Sequence, residues 1–267
     1  MITSAADLAI LHEAREVAER TGRAAGALLR ERVRTERVIN HKGTVDLVTD
    51  ADEESERLIA GALREAFPAF RLTGEEGASG AAEHDYGWII DPIDGTTNFA
   101  HGYPHFAVSI CLEFRGTPVV GVVYDPMRDE MFVGVEGEGA TLNGEVIHVS
   151  MQSVMIQALG ATGFSYDIGA RQEATALWNA FNDRLQGLRR DGSAALNMAW
   201  VAAGRLDTYF EAPVNGWDVG AGAVIAQEAG GRISTLSGAE YDLAVPEMLC
   251  TNGHLHEQVL ALIEQTR

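Results

Sequence analysis

Apolar residues recur at helical spacing from the start of the chain. Between Ala5 and Arg34, Leu8, Leu11, Val17, Ala18, Leu28 and Leu29 stand among charges, predicting one long amphipathic helix. A second helix is expected from Asp52 to Ala66, stopping before Pro68, with the alternating stretch Val45-Asp46-Leu47-Val48 as a half-buried strand leading into it. Phe70-Arg71-Leu72 and Trp88-Ile89-Ile90 read as short strands, the latter buried. From Phe106 to Val149 the pattern turns β-rich, with runs at 107–112, 119–124 and 131–135 and an Asn143-Gly144 hairpin turn. Helices are then expected at Ala170–Leu185, Ser193–Ala203, Trp217–Ala229 and Leu255–Ile263, with strands at Asp207–Glu211 and Met248–Cys250. Mixed elements of this kind indicate a layered α/β or α+β body. No repeat, low-complexity tract or long linker interrupts it.

Composition narrows the function classes. Acids outnumber bases 39 to 20, for a formal charge of −19. A direct nucleic-acid binder would need a basic face, so that class is disfavoured. The two cysteines, Cys111 and Cys250, lie in apolar runs without metal-ligand spacing and read as small buried hydrophobes. His101 and His105 are i, i+4, but Gly102 and Pro104 between them argue for loop histidines rather than ligands. The first residues show no basic start followed by an apolar stretch, and no apolar run reaches the roughly 18 residues that span a bilayer. Cytoplasm is the expected compartment. Lys42 is the one lysine among 20 basic residues; it reads equally as a functional cation and as part of a solvated loop.

The chemistry concentrates in Asp91-Pro92-Ile93-Asp94-Gly95-Thr96-Thr97-Asn98-Phe99, placed where the Trp88–Ile90 strand is expected to run into a loop. Pro92 has no N–H for a ladder, and Gly95 frees the next turn. Two acids, a carbonyl at Ile93 and two hydroxyls within six positions form a hard oxygen set of the kind Mg²⁺ takes. An acidic turn satisfying its own backbone is the competing reading. Two more acidic sites weigh against it. Gly74-Glu75-Glu76-Gly77 lies upstream, and Trp217-Asp218 opens an Ala-rich helix where Asp218 also reads as a plain cap.

Those segments, together with Val45 to Asp52, Gly121-Val122-Val123-Tyr124-Asp125-Pro126, Gly192-Ser193-Ala194-Ala195 and Glu228-Ala229-Gly230-Gly231, resemble the inositol monophosphatase family. That family lies within the Mg²⁺-dependent, lithium-sensitive phosphomonoesterases. The resemblance covers nearly the whole chain. It implies a single domain over 1–267 with the layered αβαβα sugar-phosphatase (fructose-1,6-bisphosphatase/inositol monophosphatase-like) fold, its subdomains meeting near residue 150. It further implies two Mg²⁺ ions, with a third loosely held. Glu75, Asp91 and the Ile93 carbonyl would hold the first, and Asp91, Asp94 and Asp218 the second, while Glu75 would touch the third. Paired metals about 3.5–4 Å apart activate water on one side and stabilise the leaving oxygen on the other. By the same resemblance Thr96 and Asp52 orient the attacking water, although Asp52 is also a natural helix cap and both roles can hold at once.

Phosphate is expected at the backbone of Gly95, Thr96 and Thr97. The leaving group is expected against Gly192, Ser193, Ala194, Glu211 and Asp218, with Glu211 open to reading as an exposed strand-end acid. Lys42, Asp46 and Glu76 are further candidates. The implied activity is an inositol-phosphate phosphatase. Fructose-1,6-bisphosphate, histidinol phosphate and an adenosine bisphosphate are alternative substrates. Asp191 departs from the family pattern and is expected to repel a second phosphate. A homodimer is implied. Some bacterial relatives bind RNA polymerase, which leaves a regulatory role as the alternative of a different class.

Overall fold

The computed structural model describes residues 5–34, 39–41, 47–80, 83–165 and 171–267. The chain begins with α1 (Ala5–Arg32), the hairpin strands β1 (Ile39–His41) and β2 (Leu47–Thr49), and α2 (Asp50–Ala66). Next come β3 (Arg71–Gly74), β4 (Ser79–Gly80), β5 (Tyr86–Asp94) and the short α3 (Thr96–His101). A meander follows: β6 (Ala107–Phe114), β7 (Thr117–Asp125), β8 (Glu130–Val135), β9 (Gly139–Leu142) and β10 (Glu145–Val146). After a 3-10 turn at Met155–Gln157, strands and helices alternate: β11 (Leu159–Thr162), α4 (Arg171–Asn182), β12 (Gly187–Arg189), α5 (Ala194–Ala202), β13 (Thr208–Glu211) and α6 (Gly216–Glu228). The chain closes with β14 (Arg232–Ser234), β15 (Met248–Thr251) and α7 (His256–Thr266). Lys42 and Asp46 lie outside the described residues.

An eight-stranded sheet has the order β10-β9-β8-β7-β6-β5-β3-β4, and a five-stranded sheet the order β12-β11-β13-β15-β14. Three cores separate five layers. The first joins α1 and α2 to the larger sheet through Leu11, Leu29, Ile59, Leu63, Trp88 and Ile110. The second packs α5 and α6 between the sheets, around Phe132, Leu196, Met198, Ile225 and Tyr209. The third sets α4 and α7 against the outer face of the smaller sheet, around Phe181, Phe210, Val259 and Ile263. Along β6, Val108, Ile110 and Leu112 enter the first core while Ala107 and Cys111 enter the second. That alternation explains a strand that reads as unbroken apolar sequence, because both faces are covered.

Two strand glycines set the spacing that brings α6 to the site. A Cβ on Gly121 would lie 2.2 Å from the Ala221 carbonyl, and one on Gly134 2.7 Å from the Ile225 Cα. Only bare backbone on β7 and β8 lets α6 approach so closely. No helix among the described residues is long and apolar enough to cross a membrane.

Two expectations are corrected. The strand carrying the Asp-Pro motif does not end at Ile90 but runs through Asp94. Asp91 pairs with Ser109 and Asp94 with Ala107, so β5 spends three steps where β6 spends two. One extra residue is a β-bulge, the place where a sheet tolerates a proline. The second helix begins at Asp50, not Asp52, because Thr49 takes the cap position and Asp52 becomes its third residue.

Candidate active site

The bulge in β5 decides the geometry of the acids. On a regular strand, residues three apart point to opposite faces. The extra residue restores Asp91 and Asp94 to one side. Both side chains are buried, and both line a cavity shared with Glu75, Ile93, Gly95, Thr96, Gly192, Ser193, Ala194, Glu211 and Asp218.

The N-termini of α3, α5 and α6 and the strand ends supply these walls, while Asp52 on α2 stands behind Thr96 and does not line the cavity. Asp52, on the first turn of α2, accepts from the Thr49 N–H at 2.8 Å and the Thr49 hydroxyl at 2.6 Å, and from the Thr96 hydroxyl at 3.0 Å. The Thr96 hydroxyl also sits 3.0 Å from the Ile93 carbonyl, so one proton faces two acceptors. Asp94 takes three donors from the start of α5: the Ser193 hydroxyl, the Ala194 N–H at 3.1 Å and the Ala195 N–H at 2.8 Å. Asp218, third residue of α6, accepts from the Asn215 N–H at 2.7 Å. Asp91 accepts from the Ile93 N–H at 2.9 Å, so it does satisfy part of its own turn. Gly95, at φ 100°, caps α3 in the left-handed region, and a Cβ there would lie 3.0 Å from the Gly192 carbonyl. Asn98 then donates to the carbonyls of His105 and Asp191, both at 2.7 Å, binding α3 to the Gly192 segment.

The electrostatics are frustrated. Burial pushes Asp91 well above the usual carboxylate range, and Glu75, Asp94 and Asp218 push it further. Burial raises Asp94 to about 7 despite its three donors. It raises Asp218 to about 7 as well, with Asp94 and Glu75 adding to the rise and the Asn215 N–H opposing it. Glu211 is pushed up to about 7, again by burial, while the Tyr209 hydroxyl at 2.7 Å and the Arg190 charge pull it down. Asp52 is raised by burial against its three hydrogen bonds. Helix N-termini offset part of this negative charge; a bound cation would offset far more.

Among the described residues no three acidic, imidazole or thiolate side chains already close into a ligand cage. The donor set is nonetheless wholly oxygen. Mg²⁺ typically takes one or two carboxylates with water and substrate phosphate rather than an all-protein cage, so these residues fit that ion.

Several sequence-level candidates lie elsewhere. Glu76 and Thr97 do not line the cavity; the Thr97 hydroxyl is buried without a hydrogen-bond partner. Asp191 does not line it either, although it precedes the lining residue Gly192, and its charge acts on His105. His105 is buried, packs edge-on to Trp200 and is pushed down to about 4 by burial; neither it nor His101 reaches the cavity. Cys111 and Cys250 are buried free thiols.

Sequence reasoning missed Gly163, Phe164, Arg190 and Val214, all on the cavity wall. β11 runs parallel to β12 and to β13. Gly163 and Phe164 follow β11, Arg190 follows β12, and Glu211 ends β13. The carboxyl ends of parallel strands are where open α/β sheets place ligands, a signal available once that pairing is known. A Cβ on Gly163 would fall 1.9 Å from the Glu211 carboxylate, so glycine there makes room for the acid.

Whole-chain comparisons place the fold among known proteins. The model of the inositol monophosphatase family matches residues 10–267. Inositol monophosphatase 3 of Solanum lycopersicum is 41% identical over 94% of this chain and 96% of its own length. The Nus factor SuhB of Pseudomonas aeruginosa is 40% identical over 93% of this chain and 94% of its own. The solved inositol monophosphatase from Anabaena superposes with a TM-score of 0.87 at 38% identity, covering 96% of this chain and 97% of that one. A phosphatase fold, a cavity walled by buried acids and this similarity along the full length lead to one conclusion: the chain belongs to the inositol monophosphatase family.

Proposed function

We propose that the cavity hydrolyses inositol-1-phosphate or a closely related polyol phosphate with Mg²⁺. One observation carries the reading: Glu75, Asp91, Ile93, Asp94 and Asp218 line the same cavity as Thr96 and Glu211. Glu75, Asp91 and Ile93 would hold one ion and Asp91, Asp94 and Asp218 another, with Glu75 reaching a third. Bound there, divalent ions lower the pKa of water and offset charge on the leaving oxygen.

The chain's own groups do the rest. The Thr96 hydroxyl, donating to the Asp52 carboxylate, keeps a lone pair that accepts a hydrogen bond from the attacking water. While Asp52 takes the Thr96 hydroxyl's own hydrogen bond, the Ile93 carbonyl stays available to ligate. First-turn N–H groups of α3 have no intrahelical acceptor and suit phosphate oxygens. Glu211, fixed by the Tyr209 hydroxyl, accepts from leaving-group hydroxyls when ionised. The Thr96 and Ser193 hydroxyls on the wall already donate to Asp52 and Asp94, which favours direct attack by water over a covalent phosphate acceptor.

A panel of phosphate esters assayed with and without Mg²⁺ tests the reading. Inositol-1-phosphate should be turned over faster than fructose-1,6-bisphosphate, histidinol phosphate or an adenosine bisphosphate, and chelation or Asp91→Asn should remove most activity. Full turnover in chelator would refute the metal assignment; preference for a bisphosphate would refute the substrate.

Similarity to a Nus factor supports a second reading, association with RNA polymerase, with the −19 charge suited to a basic protein patch. Retrieval of polymerase by wild type and by Asp91→Asn alike would place that role apart from catalysis; retrieval by neither would dismiss it.

A further inference from the structure

One face of α2 is turned toward the site and carries more than Asp52. Ala51, Asp52, Ser55, Glu56, Ile59, Ala60 and Leu63 are its buried residues, recurring at three- and four-residue spacing as a single helical face requires. Ile59, Ala60 and Leu63 enter the first core. The three polar residues each hold a different segment of the cavity wall. Asp52 accepts from Thr96. Ser55 donates to the Pro92 carbonyl at 3.2 Å, inside the β5 bulge. Glu56 accepts from the Glu76 N–H at 2.8 Å and from the Ala78 N–H at 2.7 Å, one carboxylate oxygen to each.

Glu56 is 5% exposed, and a carboxylate so placed must be matched by donors to persist. Its donors are the backbone of the β3–β4 turn, the segment that presents Glu75 to the cavity. The same turn is closed by the Gly74 N–H on the Ala78 carbonyl at 2.9 Å and tied to β5 by the Glu75 N–H on the Ile90 carbonyl at 3.3 Å. Contact with Glu56 is tight on the other side too. A Cβ on Gly74 would lie 2.2 Å from Glu56 Oε2, so glycine at 74 is what lets the carboxylate reach past the strand end to the turn.

We infer that Glu56 is a positioning residue for metal binding: it fixes the backbone of the turn that carries Glu75, and through it the side chain offered to the first ion. The inference rests on the metal reading given above. Glu56 does not line the cavity and touches no reacting atom. Its effect is to remove the entropy that Glu75 would otherwise lose on meeting a cation. By sharing a helix with Asp52, it also sets the distance between the water-orienting pair and the Glu75 carboxylate through a rigid element.

Glu56→Gln keeps the volume and one acceptor oxygen, but places an NH₂ group against the second backbone N–H. Losing a hydrogen bond to a charged group is typically worth about 1.5–3 kcal/mol, so Mg²⁺ binding should weaken by about tenfold or more. Gly74→Ala reaches the same end without a charge change, by displacing the carboxylate. The experiment is calorimetric titration of the full-length apo protein with Mg²⁺ for wild type, Glu56→Gln, Gly74→Ala and Asp91→Asn, each with its melting temperature. Weaker Mg²⁺ uptake in both Glu56→Gln and Gly74→Ala, with turnover in Glu56→Gln recovered by raising Mg²⁺ and not recovered in Asp91→Asn, is the expected result. Mg²⁺ affinity equal to wild type in both, whatever their melting temperatures, overturns the inference and leaves Glu56 a structural latch. If Glu56→Gln does not fold, the Gly74→Ala isotherm decides alone. Wild type that takes up no Mg²⁺ overturns the metal reading and this inference with it, so the two failures are distinct.

Discussion

Replacing Thr96 with alanine should separate catalysis from binding and from stability. The residue is buried, and its hydroxyl is one of three donors to Asp52. Asp52 keeps both Thr49 contacts in the variant, so the fold loses at most one hydrogen bond to a charged group, about 1.5–3 kcal/mol. The kinetic loss has a different origin. A positioned proton acceptor contributes about 10²–10⁴-fold, or roughly 2.7–5.4 kcal/mol of barrier, and only in the transition state, so the fall belongs in kcat rather than KM. Asp52→Asn should produce the same phenotype at nearly constant volume. The Thr49 N–H requires an acceptor and takes the amide oxygen, which turns the amide NH₂ toward Thr96. The Thr96 lone pair is then occupied and its proton goes to the Ile93 carbonyl.

Steady-state kinetics at saturating Mg²⁺ test this, with Thr96→Ser expected to return to within about threefold of wild type because only the hydroxyl matters. The double variant, Thr96→Ala with Asp52→Asn, should be little worse than either single one, since the two act as a unit. A raised KM at unchanged kcat, no recovery in Thr96→Ser, or fully additive losses would each refute the water-orienting assignment.

Three further outcomes are expected. Burial raises Asp94 and Asp218 to about 7 in the metal-free fold, so these acids hold more protons folded than unfolded; their stabilising contribution is complete below about pH 4 and lost as pH climbs through about 7. The melting temperature of chelated protein should therefore fall between about pH 5 and pH 8, a slope saturating Mg²⁺ should flatten; a rise over that interval contradicts the burial argument. Glu211→Gln should cost about ten- to a hundredfold in kcat/KM with inositol-1-phosphate and much less with phenyl phosphate, whose leaving group has no hydroxyl to offer once bound; equal losses on both would remove Glu211 from leaving-group recognition. Arg190, not Asp191, stands on the cavity wall, so Arg190→Gln should lower activity on fructose-1,6-bisphosphate more than on inositol-1-phosphate, while Asp191→Ser should leave that ratio unchanged, as relative kcat/KM values would show.

Much of the fold was legible because its signals are local and repeated. The long periodic run at the start of the chain, the β-rich stretch after Phe106 and the Ala-rich helix after Trp217 each carry their period over many residues. That Asp91 and Asp94 belong to one cavity was legible for a related reason: their oxygen donors are compressed into a few adjacent positions. Gly163, Phe164, Arg190 and Val214 carry no such signal. Each stands alone in sequence and reaches the cavity only because β11, β12 and β13 run in parallel. That pairing is a property of the assembled sheet and not of any one strand.

Pro92 shows how one local signal supports two structures. A missing N–H ends a strand at a free edge, but it makes a bulge where the neighbouring strand continues, and β6 continues past it. The sequence around Pro92 is the same in both cases; the difference lies in Ala107–Ser109, on the partner strand. The bulge is also what lets Asp91 and Asp94 share a face. Capping and catalysis, similarly, are not rival explanations of Asp52 and Asp218. Each carboxylate takes its neighbouring cap-residue N–H at the third position of a helix, which fixes it in place. Each also stands at the positive end of that helix, where its negative charge is best tolerated. A cluster of buried acids this dense needs such support before any cation arrives. The capping role is therefore the physical condition under which the acids can be held ready for metal.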